Sequence, residues 1–226
     1  MWGGIVNQSR NLTLSALAYG PDDAGWRTEI SALIAVFPHV CRAALRGEAP
    51  CERVVALVGA PRTAQIAASD HMPSFVSLQI AQLLQHALSE GSMNQFAFAQ
   101  AEEQRSELIN HIGGCERILK TPLPLVYVIK IRQFIVLFLL TLPLALLHRL
   151  NSLWLIPLVT MGVAYPLLAL DQIGAELQNP FFRSHLSHLP LNDICQTIEK
   201  NVRALCSQDA KPVSLPSPPA EATSNN

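Results

Sequence analysis

Lys130 and Arg132 interrupt the longest apolar stretch of the chain, TPLPLVYVIKIRQFIVLFLLTLPLALL. A cation in such a segment costs free energy unless it faces a polar path or carries its charge to the interface. Both stand near the start of the stretch, which favours the interface. His185 and His188, at i and i+3, could share a metal on a helix. Pro180 and Pro190 bracket them and no third ligand stands near, so they read as free surface histidines and no metal site is assigned. His39, Arg42 and Arg46 in FPHVCRAALRG read as a solvated or interfacial face. Asp171 and Glu176 follow the second apolar run and read as structural partners of basic residues on a neighbouring helix. Glu102 and Glu103 are adjacent, so on a helix they diverge and make no catalytic pair. GxSxG, P-loop, HExxH and strand-linked GxGxxG patterns are all missing. The expectation is a protein that is not an enzyme and takes no cofactor.

Composition points the same way. Half of the 226 residues are hydrophobic and 15% are charged, below the roughly 25% of an ordinary soluble domain. A net charge of −1 gives no basic field for nucleic acid. The five cysteines, Cys41, Cys51, Cys115, Cys195 and Cys206, are odd in number and contain no CxxC pair. Buried or free thiols in a reducing compartment fit better than a disulfide framework. The first residues lack the basic start and apolar run of a cleavable signal.

The elements that must carry these residues are helices. Trp2, Ile5, Ser9, Leu12, Ala16 and Tyr19 form one stripe over residues 2–19, and GPDDAG breaks it. Helical spacing resumes through Trp26, Ile30, Leu33, Ile34 and Phe37, where Pro38 should kink or end the helix. A short apolar piece, RVVALV, lies between GEAP and GAPRT, and a helix from Pro73 ends at SEGS. Ser92 and Gln95 have capping-box spacing for a helix through AEEQRSELINHIGGCERILK. Its Gly113–Gly114 pair suggests close approach of a neighbouring backbone. The uncharged stretch from Gln133 to Leu147, then HRLNS, then the 18 uncharged residues of LWLIPLVTMGVAYPLLAL, predict a transmembrane hairpin. A buried helix pair is the soluble alternative. Eleven Lys and Arg precede or open the hairpin, four follow it and only Arg149 lies within, so both ends face the cytoplasm. Leu191, Ile194, Cys195, Ile198, Val202 and Leu205 predict an amphipathic helix, and a Pro- and Ser-rich disordered tail begins at Ser207. The fold class is all-α, a helical membrane protein with a hairpin over 121–170, cytosolic helices over 1–120 and 171–206, and a tail over 207–226.

Three segments in order carry a family resemblance. WGGIVNQSRNL resembles the bestrophin segment that follows the second transmembrane helix, above all in bacterial bestrophin-like proteins. TPLPLVYVIKIRQF resembles the start of their third membrane helix, and LDQIGAELQNPF…LPLNDICQTIEKN the stretch leaving their fourth. The resemblance covers about residues 2–205. It implies a homopentameric, generally anion-selective channel in the cell membrane, whose partners are further copies of itself, lipid and inorganic ions such as chloride. It also implies two membrane helices ahead of this segment, the second forming an apolar neck. Without that neck, residues 1–226 alone are expected to assemble poorly and to pass no selective current. A misplaced start, a gene fragment or an intact short variant would each account for the difference. A non-conducting, membrane-anchored interaction scaffold is the alternative function.

The resemblance also assigns candidate residues. Ile129, Lys130, Ile131 and Arg132 lie near the family's cytosolic constriction, where a ring of five cations would favour anions. Trp2, Asn7, Ser9, Arg10, Asp171, Glu176, Asn179, Pro180 and Phe181 are motif residues with structural roles. Arg10 is expected in a buried ion pair or hydrogen bonds. Calcium-gated members carry an acidic run after NPF. Here NPFFRSHLSHLPLND offers Asp193 but no cluster, so calcium control is not expected.

Overall fold

The computed structural model describes residues 1–121, 124–149, 154–176, 180–181 and 189–209. All regular structure among them is α-helical: α1 Trp2–Tyr19, α2 Ala24–Arg46, α3 Glu52–Val58, α4 Ala60–Ala68, α5 Met72–Ser89, α6 Gln95–Lys120, α7 Leu125–Leu147, α8 Leu155–Glu176 and α9 Leu191–Asp209.

Helix α2 is the centre of the body. The Asp23 carboxylate caps it by accepting from the Trp26 amide at 2.6 Å. Gly47 ends it at φ 65°, a left-handed turn that a side chain would strain, and the Glu48 amide then donates back to the Ala43 carbonyl at 2.9 Å. Pro38 does not end the helix, which runs on to Arg46. Ile30, Leu33, Ile34, Phe37 and Val40 of α2 are fully buried. Each such side chain contributes about 1.5–3 kcal/mol by leaving water. Around α2 pack α1, α3, α5, α6 and α9. The Trp26 indole N–H donates to the Leu83 carbonyl of α5 at 3.2 Å, tying the α2 start to its neighbour.

The predicted α1 stripe is buried at Trp2, Ile5, Ser9, Leu12 and Ala16, while Tyr19 is exposed. Close approach of α1 to α6 falls at Gly4, where an added Cβ would sit 2.2 Å from the His111 ring. The Gly113–Gly114 expectation needs correcting: Gly113 faces open space and Gly114 meets only the flexible Met1 side chain. The capping residue of α6 is Asn94, whose side chain accepts from the Ala97 amide at 2.8 Å, and Ser92 instead donates to the Ala87 carbonyl of α5. Asn94 lies one position from Gln95, so its cap satisfies the first orphan amides directly.

Helices α7 and α8 form the predicted hairpin and, among the described residues, pack only on each other. Beyond the hairpin the chain returns to the body at Phe181, which is buried in its core. Helix α8 runs unbroken past 170 to Glu176. Helix α9 buries Leu191, Cys195, Ile198 and Val202 against α1 and α2. It continues through Ser207 to Asp209, so the first three residues assigned to the tail are helical.

Candidate functional site

The candidate permeation residues open α7. Ile129 and Ile131 are exposed, as are Lys130 and Arg132. Four consecutive helical positions point around the whole helix, so they do not share a face. Arg132 is engaged: its Nε donates to the Asp171 carboxylate of α8 at 3.0 and 3.2 Å. This is the basic partner that the sequence assigned to Asp171 without naming it. Lys130 Nζ meets only the neutral Gln133 amide oxygen, at 3.3 Å, among the described residues. The two cations therefore differ. One is neutralised across the hairpin and the other keeps its charge.

The motif residues of α1 divide. Trp2 and Ser9 are buried, Asn7 is exposed and Arg10 is half-buried. The expected ion pair or hydrogen bond of Arg10 is not made among the described residues. Its neighbour Ser9 accepts from the Thr13 hydroxyl through its carbonyl at 2.7 Å. Glu176 ends α8, and Phe181 is buried with its carbonyl accepting from Arg46 Nε at 3.0 Å. Pro180 is half-buried beside it, while Asn179, His185 and His188 lie outside the described residues.

A second polar region was read wrongly from sequence. His39 and Arg42 are 2% and 7% exposed, so they form no solvated face. They turn towards α3 and α9. The carboxylate of Glu199 on α9, itself 3% exposed, is held in a fork by Arg53, with Nε to Oε2 at 2.9 Å and Nη2 on Oε1. Arg203 reaches the same carboxylate at 3.1 Å, and His39 Nε2 lies 3.3 Å from Oε2. The Arg53 fork pulls the Glu199 carboxyl below its ordinary value, against the opposing effect of burial. Burial pulls the His39 imidazole below its own, more strongly than Glu199 raises it. Arg42 Nη1 donates to the Asn192 side-chain oxygen at 2.7 Å, and its Nε has no partner among the described residues. The legible signal was Glu199, one position after Ile198 and four after Cys195, a carboxylate on the apolar face of α9. The same packing buries Cys195, and desolvation pushes its thiol up to about 12.

The sequence profile of the bacterial and fungal bestrophin proteins matches residues 1–204. A voltage-dependent anion channel-forming protein of Nostoc is 30% identical over 91% of this chain and 67% of its own length. An Escherichia coli protein of the same description is 27% identical over 88% of this chain and 64% of its own. The chain thus spans about two thirds of the length of these relatives. The crystal structure of a bestrophin homologue from Klebsiella pneumoniae superimposes with a TM-score of 0.84 at 25% identity, covering 91% of this chain and 76% of that one. The helical body, the apolar hairpin and the profile match over residues 1–204 agree, and the chain belongs to the bacterial and fungal bestrophin family.

Proposed function

We propose that this chain is a subunit of a homo-oligomeric, pentameric anion channel of the cell membrane, chloride being the first ion to test. The hairpin of α7 and α8 crosses the bilayer, and the helices on either side of it form a cytoplasmic body. The observation that carries this reading is the exposure of α7 and α8. Both are long and apolar enough to span a bilayer, and almost nothing of either is covered by the protein. Lipid and further copies of the chain are the surroundings that would cover them. The printed descriptions of the Nostoc and E. coli relatives support anions as the permeant species.

Ile129, Lys130, Ile131 and Arg132 line or border the cytosolic end of the path in this reading. Lys130 is the stronger source of anion preference, because Arg132 already meets Asp171. A ring of unpaired ammonium groups attracts anions and repels cations at close quarters. Reversal potentials in planar bilayers under a KCl gradient, for this chain extended by the two membrane helices that the family resemblance implies, test this. A potential near that of chloride is expected, with Lys130→Gln lowering the chloride preference more than Arg132→Gln. Stable oligomers without any anion-selective current would instead identify a non-conducting membrane-anchored scaffold.

A further inference from the structure

We propose that the cavity between α2, α3 and α9 is a binding site for a small phosphate-bearing anion. The cavity encloses about 610 Å3, within the range of ordinary small-ligand sites. Arg42, Arg53, Lys200 and Arg203 line it, and Glu199 is its only carboxylate among the described residues. That carboxylate is already occupied by Arg53 and Arg203. Among the described residues Arg42 makes no ion pair. Its only side-chain partner among the described residues is the neutral amide oxygen of Asn192, and its buried Nε is unpartnered. A buried cation without a counter-charge is costly, and so is a buried N–H without an acceptor. His39, almost wholly buried on the same wall, likewise leaves Nδ1 unpartnered.

The four cations on the cavity wall outnumber its one carboxylate, and an anion with several acceptor oxygens would balance them. A phosphate carries more than one negative charge and several acceptor oxygens. Guanidinium groups match it geometrically, and the exposed Lys200 adds a point charge at the mouth. A carboxylate supplies fewer acceptors, and chloride supplies charge without directed lone pairs. A cavity of comparable size beside α1 and α3 is lined largely by Leu17, Ala32, Ala35 and Val202 and has no such excess of cations, so the charge belongs to this cavity in particular. The site joins α9 to the neighbouring pair α2 and α3, far earlier in the sequence. A bound phosphate would therefore clamp α9 to α2. This proposal stands apart from the conduction reading, because the residues concerned lie on none of the hairpin helices.

The test is calorimetric titration of the purified, assembled protein with inorganic phosphate and with pyrophosphate, at ionic strength held constant by KCl. One saturable event per chain is expected, with slower hydrogen exchange in α9 over Asn192–Arg203. Arg42→Gln is expected to weaken binding by about tenfold or more, as for loss of a charge-assisted hydrogen bond. Because Arg42 is buried, Lys200→Gln is the second variant. It sits at the surface, leaves the core intact and is expected to weaken binding roughly threefold. Heat that KCl or acetate reproduces would overturn the proposal. So would the lack of any saturable phosphate event in the assembled protein, or affinity unchanged in both variants.

Discussion

Helices α2 and α7 look alike on paper and live in opposite surroundings. Each has 23 residues, each contains a proline, and each is long and apolar enough to cross a membrane. Yet 78% of the apolar window of α2 is buried within the protein, against 0% for α7. What separates them is the placement of polar groups. In α2 the polar residues turn into the protein: Arg42 donates to Asn192 of α9 at 2.7 Å, His39 lies 3.3 Å from Glu199, and Glu29 pairs with Arg62 at 2.6 Å. From Gln133 to Leu147, α7 carries no charge, and its Thr141 hydroxyl turns back onto the Leu137 carbonyl of its own helix. A helix with polar groups to satisfy is pulled into a protein body. A helix that satisfies its polar groups alone can be covered by lipid.

The largest expected effect breaks this pair at matched residues. Phe37→Ala in α2 opens a cavity in a fully closed core and should destabilise the body by about 3–5 kcal/mol. Phe138→Ala in α7 removes an exposed ring and should leave the body within about 0.5 kcal/mol of the parent. Denaturant unfolding followed by the fluorescence of the buried Trp26 reads both. Equal losses would mean that the body and the hairpin fold as one unit.

The second effect acts on the hairpin itself. Leu140 lies in the middle of α7 with its side chain exposed. Arginine at a membrane-helix centre raises the cost of insertion by about 2.5–3.5 kcal/mol. Leu140→Arg should therefore shift protein from the carbonate-resistant membrane fraction to the soluble one. Retention of the variant in membranes would place α7 in contact with protein or water at this point.

How far the sequence reaches follows from the same contrast. Periodicity told where α1 and α9 run and which stripe of each is apolar, because those stripes are largely buried by the protein. It told that two long apolar helices follow one another there, because a run without charge has few other solutions, but not that the second continues to Glu176. It failed at His39 and Arg42, since hydropathy treats a buried cation and a solvated one identically. Their partners Asn192 and Glu199 lie some 150 residues away in the chain, at |i−j| of 150 for the Arg42–Asn192 bond. The candidate residues at the start of α7 were placed correctly on a helix. The distinction between Lys130 and Arg132 was not legible, because it depends on Asp171 arriving from α8. The α6 cap was misplaced for a local reason: Asn94 and Ser92 both have capping chemistry, and only the path of the chain decides between them.

Acid offers a graded way to sharpen the comparison. His39 and Glu199 are both held below their ordinary values of 6.5 and 4.5. The unfolded chain therefore takes up protons at higher pH than the folded one. The stability they contribute is complete above pH 6.5, falls as the pH drops below it, and falls again below 4.5. Unfolding midpoints of the body at stepwise lower pH should show both declines, and His39→Asn should remove the first. Stability that rose on acidification would contradict the buried arrangement of α2 and α9.

The smallest effect concerns the ion pair that the hairpin does possess. Arg132 and Asp171 join α7 to α8, but the arginine side chain is 55% exposed. An ion pair in water gains little, because solvent screens the attraction and two side chains must be ordered to make it. The carboxylates differ more than the arginines do, since the Asp171 side chain is 21% exposed and that of Glu199 4%. A double-mutant cycle with Arg132→Gln and Asp171→Asn isolates the coupling from the other losses that each substitution brings. Hydrogen exchange of the α8 amides around Asp171, in protein reconstituted into lipid nanodiscs, supplies the readout. A coupling below about 1 kcal/mol is expected if water reaches the pair. A coupling of several kcal/mol would place the pair away from water, among lipid or neighbouring subunits. In that case the hairpin, like α2, would hold its charges by closing over them.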